Sequence, residues 1–106
     1  MRDALTERKA VVLFPEDFDE QSAFETPSRG YLSHSIVQLP DGTRYPVFFI
    51  DPVRLRQEME IDAQSGEPFF AEVNMIVLPE VTLERIRTAV ETLAEQGFFQ
   101  HLKPLS

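Results

Sequence analysis

An α+β domain is the fold class that this 106-residue chain predicts, and three observations point to it. Short apolar or alternating runs of strand length recur between residues 10 and 78. An Asp41-Gly42 turn joins two of them. A single segment, Leu83 to Gln96, carries clear helical spacing. The expected order is β-β-β-α-β-α, with an antiparallel or mixed sheet of about four strands packed on the C-terminal helix. Residues 1–106 read as one domain, in which 15–30 is a long anchored loop and 100–106 a short tail.

The first strand is the apolar run Ala10-Val11-Val12-Leu13-Phe14, stopped by Pro15. Pro15 followed by Glu16, Asp17 and Phe18 suits one helical turn. Beyond it, residues up to 30 hold no sustained period, and Phe18 and Phe24 are expected to pin the loop to the body. Tyr31 to Leu39 and Arg44 to Asp51 form a hairpin around Asp41-Gly42. If these two are the whole loop, Leu39 faces Arg44, Ile36 faces Val47 and His34 faces Phe49. One face then carries Leu32, His34, Ile36, Tyr45, Val47 and Phe49, and the other Ser33, Ser35, Val37, Leu39, Pro46, Phe48 and Ile50. Pro46 cannot donate to a ladder, so its strand is an edge or bulged at that point.

Val53 to Ala63 alternates apolar and charged residues strictly, which favours a strand. Asp51 as N-cap, Pro52 at the first helical position, the helix formers from Arg54 to Glu60 and the stops Gly66 and Pro68 favour a helix, and the helix is preferred. Its inward stripe is expected to be Leu55, Met59 and Ala63. Phe69 to Leu78 reads as a strand that becomes central at Ile76, Val77 and Leu78. Thr82 caps the last helix and Gly97 closes it. Phe98 and Phe99 then fold back onto the body.

Composition bounds the function. Eighteen acidic against ten basic residues leave a net charge of −8, which disfavours nucleic acid and anionic membranes and favours a cationic or neutral partner. No apolar run is long enough to span a bilayer. Met1 to Leu5 do not resemble a signal peptide, so the chain reads as soluble and cytoplasmic. With no cysteine there is neither a disulfide framework nor a thiolate site. Two histidines and four glycines leave no zinc pattern and no phosphate cradle, so no metal and no cofactor are expected.

Three features carry what functional signal there is. Glu16, Asp17, Asp19 and Glu20, with Glu25 beyond, have the wrong spacing for a calcium loop and read as a solvated face. They also suit docking to a basic protein. His34 lies on the apolar face in the expected register, with Asp51 diagonal to it, so a carboxylate is placed to orient the ring. Asp51 is also wanted as a helix cap, however, and no second catalytic motif supports the pair. The Phe-Phe pairs at 48–49, 69–70 and 98–99 are more informative, because neighbours on a strand point to opposite faces and both then need cover. Either the loop 15–30 or another chain supplies it.

The expected function is therefore a small acidic, non-enzymatic interaction or regulatory protein that self-associates. Its contact residues are expected among Glu16, Asp17, Asp19, Glu20, Phe48, Phe70, Phe98 and Phe99. One alternative is an inhibitor of a basic toxin or nuclease, of the immunity type, by analogy of charge alone. The other is a small-molecule-binding protein or enzyme with its site at His34 and Asp51.

Overall fold

A computed structural model describes residues 9–67 and 69–105. Strand β1 spans Val11–Leu13, helix α1 Glu20–Arg29, β2 Tyr31–Gln38, β3 Arg44–Ile50, α2 Pro52–Gln64, β4 Met75–Val77 and α3 Leu83–Glu95, with a 3-10 turn over Phe98–His101. The four strands lie in the order β1-β2-β3-β4. The first three are antiparallel, and β4 joins β3 in parallel through the α2 crossover. The result is the α+β class with a mixed sheet.

One face of the sheet makes the core. Val37, Tyr45, Val47, Phe49 and Ile76 pack against Ile86 and Val90 of α3 and against Phe99. Each such side chain withdrawn from water contributes about 1.5–3 kcal/mol. Helix α3 begins where the Thr82 hydroxyl accepts the Arg85 N–H at 3.1 Å, and it ends before Gly97. The cap and the apolar spacing both act as expected from the sequence.

The hairpin differs from the expected register by one residue. The Leu39 N–H bonds the Thr43 carbonyl at 2.8 Å and the Gly42 N–H bonds the Leu39 carbonyl at 2.9 Å. The loop is therefore Pro40-Asp41-Gly42, with Gly42 at φ 91°, the three-residue form that ends in a left-handed residue. Gln38 pairs with Arg44, Val37 with Tyr45 and Ser35 with Val47. A one-residue slip exchanges the faces of a strand, so Val37 and Ser35 enter the core and Ile36 leaves it. A bulge between Leu32 and Ser35 absorbs one more residue and returns Leu32 to the core side opposite Phe49. His34 sits in that bulge at φ 63° and is solvent-exposed, neither opposite Phe49 nor on the apolar face.

In place of a loop over 15–30, a turn at Glu16 and Asp17 leads into helix α1. Asp19 is its N-cap, accepting the Ser22 N–H at 2.8 Å, and Gly30 at φ 78° is its C-cap. Pro27 within the helix and a mostly polar composition hid it, since amphipathic periodicity is the stronger signal. The anchors also divide. Phe18 stacks on Phe14 at 4.7 Å and packs against the core, whereas Phe24 is 82% exposed.

Helix α2 starts as expected, with the Arg54 N–H donating to Asp51 Oδ1 at 2.7 Å and Pro52 in the first turn. Its orientation is not the expected one. Arg54, Leu55, Glu58 and Asp62 are half-buried, while Met59 and Ala63 are exposed and no side chain of the helix is fully buried. Strand β4 is also shorter than the expected 69–78. It pairs only at Met75, Ile76 and Val77, because Asn74 at φ 53° interrupts the extended chain and donates its side-chain N–H to the Pro46 carbonyl at 2.7 Å. Strand β3 is thus central from Phe48 onward and an edge at Pro46, where the missing donor costs nothing.

Candidate functional site

Alternation along the strands fixes what the second sheet face carries. From the strand pairings, Val11, Leu13, Ile36, Phe48, Met75 and Val77 share it across all four strands. Val11 and Val77, at its two edges, are 46% and 48% exposed, and the others are half-buried. The polar residues Gln38 and Arg44 bond each other at 2.8 Å toward the hairpin end. None of the strand positions on this face is acidic, although the chain holds 18 Asp and Glu. Helix α3 packs on the opposite face, and among the described residues α2 reaches this one near Tyr31 and Ile50, through Arg54 and Glu58.

At that end lies a cleft of about 370 Å³. Tyr31 and Phe48 face each other at 6.3 Å between ring centroids, and Phe70 approaches Phe48 at 6.1 Å. The Arg54 guanidinium lies 4.7 Å over the Tyr31 ring and pairs with Glu58 at 2.8 Å, an i,i+4 ion pair. Glu72 and Ser33 complete one wall, and His34 stands at the cleft with its Nδ1 hydrogen-bonded to the Ser33 hydroxyl at 2.9 Å.

The expected His34–Asp51 pair is not formed. Asp51 Oδ1 holds the Arg54 N–H, and its carboxylate lies so near Gly30 that a Cβ there would meet Oδ2 at 2.8 Å. Among the described residues, the hydrogen-bond partner of His34 is Ser33. Asp51 therefore acts on the backbone, capping α2 and joining it to the end of α1, where its own N–H donates to the Gly30 carbonyl at 2.8 Å.

Of the remaining candidates, Phe48 and Phe70 meet in the cleft. Phe98 packs edge-on against Phe99 at 5.3 Å; Phe99, 0% exposed, has no surface to offer a partner, whereas Phe98 is half-buried. Glu16, Asp17, Asp19 and Glu20 are all exposed. Asp19 is the member with a structural role, its carboxyl held below the ordinary range by the Ser22 backbone N–H and then by the Ser22 hydroxyl. The sequence does not single out Tyr31, Arg54, Glu58 and Glu72. The i,i+4 spacing of Arg54 and Glu58 was visible there, but the chain reversal that brings Phe70 and Glu72 beside Phe48 was not.

No group of three or more metal-ligating side chains is assembled among the described residues, and no helix among them is long and apolar enough to cross a membrane. Compared with protein-family models, curated proteins and solved structures, the chain matches none of them.

Proposed function

We propose that this chain is a non-enzymatic interaction or regulatory protein that self-associates through its second sheet face. The observation that carries this is an apolar face spanning four strands with no carboxylate at its strand positions, in a chain of net charge −8. Contiguous apolar surface of this kind marks an interaction site. Two copies each carrying that charge repel at long range, so a self-contact needs a patch where acids do not oppose acids. Two such sheets pack about 10 Å apart, and a two-fold axis makes the patch its own complement.

The test is sedimentation equilibrium of the wild type and of the double variant Val11→Glu/Val77→Glu. Both side chains are about half exposed, so the fold tolerates the change, while each interface gains opposed carboxylates. A concentration-dependent mass in the wild type and a monomer in the variant support the proposal. A wild type that stays monomeric at millimolar concentration removes it.

A second reading, docking to a basic protein, draws on Phe24. At 82% exposed, it lies one turn beyond Glu20 on α1, close in sequence to Glu16 and Asp17. An exposed aromatic beside carboxylates is the form of a hot-spot anchor with an electrostatic rim. Phe24→Ala and Glu20→Lys would then abolish capture of a basic partner without changing self-association.

A further inference from the structure

We infer that the cleft at the end of the second sheet face binds an organic ammonium ion with a flat or compact apolar body. Three observations converge on this class. First, the walls are aromatic: the Phe48 and Phe70 rings are inclined at 48° with centroids 6.1 Å apart, and Tyr31 lies beyond Phe48. Ring faces carry negative quadrupole density and attract cations, most strongly where water is partly excluded.

Second, the protein already uses this chemistry at the same place. The Arg54 guanidinium covers the Tyr31 ring at 4.7 Å and is held by Glu58. One ring face is thereby filled by an internal cation, while Phe48 and Phe70 still line open volume. Third, the charge balance favours a positive ligand. One cation, Arg54, stands against the two carboxylates Glu58 and Glu72 in the lining, and the whole chain adds a negative field. A carboxylate or phosphate ligand would meet Arg54 already neutralised and Glu72 opposing it.

The backbone at the cleft is shaped for a side chain. His34 adopts a left-handed conformation at φ 63° within the β2 bulge, a region that histidine enters more readily than most residues. Bulges re-aim side chains. The consequence here is that the imidazole and the Ser33 hydroxyl stand beside the aromatic walls rather than across from Phe49, offering polar contacts to whatever occupies the cleft. A volume of about 370 Å³ lies at the small end of ligand sites, which suits a single ring or a branched alkyl group carrying the ammonium.

The experiment is an NMR titration of the whole chain with three probes of one size and different charge: benzylammonium, benzyl alcohol and benzoate. Saturable shifts are expected at Tyr31, His34, Phe48 and Phe70. Benzylammonium should bind about ten-fold more tightly than benzyl alcohol, the order of a partly desolvated cation–π contact, and benzoate should bind most weakly. Glu72→Gln should reduce the preference for the cation while leaving benzyl alcohol unchanged. Phe70→Ala should weaken both, with the amide spectrum elsewhere intact.

Equal affinity for the three probes overturns the inference, as does a preference for benzoate or the absence of saturable shifts at these residues. The same titration on Val11→Glu/Val77→Glu reads the cleft without association, so cation binding and self-association stand or fall separately.

Discussion

Ser35 is a polar residue placed by geometry rather than by chemistry. The hairpin register turns it into the core beside Val37 and Val47, where it is 1% exposed and its Oγ has no hydrogen-bond partner among the described residues. A buried hydroxyl left unpaired costs about 1–3 kcal/mol. Ser35→Ala is therefore expected to raise stability by about 1 kcal/mol, seen as a higher urea midpoint at unchanged slope. Gly30 predicts the opposite sign. Its φ of 78° and the 2.8 Å approach of Asp51 Oδ2 leave no room for a Cβ, so Gly30→Ala should destabilise by more than the roughly 1 kcal/mol of a strained backbone. Neither role was legible in the sequence. A two-residue Asp41-Gly42 loop puts Ser35 on the outer face and His34 on the apolar one, and the third loop residue, Pro40, exchanges them. By contrast, the burial of Tyr45, Val47 and Phe49 was legible, because their alternation does not depend on the partner strand.

At the scale of elements, a helix is legible where its caps are joined by apolar periodicity or by a proline at the first helical position, and illegible where an interior proline and a polar composition oppose the caps. Helix α3 has caps and periodicity. Helix α2 has the Asp51-Pro52 start but a misleading alternation, and the cap decided correctly. Asp51→Ala is expected to cost about 1 kcal/mol in urea denaturation. Helix α1 has the Asp19 cap and Gly30 stop without an apolar stripe, so its sequence reads as loop. Its cap makes a pH prediction. The Asp19 carboxyl is lowered from an ordinary value of 3.8, so its contribution is present above that value and is lost as pH falls through the lowered folded-state value. The Ser22 amide resonance should therefore report loss of the cap only as the pH falls below the ordinary carboxylate value of 3.8. In Asp19→Asn, which caps without ionising, that step should be absent. A step that persists in the variant would assign it to other carboxylates.

At the scale of the whole molecule, the sequence argument that doubly apolar strands need two-sided cover is met in an unexpected way. The core face is closed by α3 and Phe99, but α2 turns Val53, Met59 and Ile61 outward at 67%, 42% and 56% exposure. Among the described residues, it meets the second face at the cleft through Arg54 and Glu58. Of the alternating apolar residues in 53–63, Leu55 is half-buried, while Val53, Met59 and Ile61 face solvent. Which face remains open could not be read from the sequence, because it depends on the hairpin register and on the path of the crossover. Because each copy carries −8, association should strengthen as salt screens the repulsion beyond roughly 10 Å.

Sedimentation equilibrium across a range of concentrations and salt tests self-association through this face most directly. The expected result is a mass rising from the 12.2 kDa of one chain toward twice that value, at lower concentration when salt is raised, and a single-chain mass for Val11→Glu/Val77→Glu. A single-chain mass for the wild type under every condition, or an association that the double variant leaves unchanged, would contradict it.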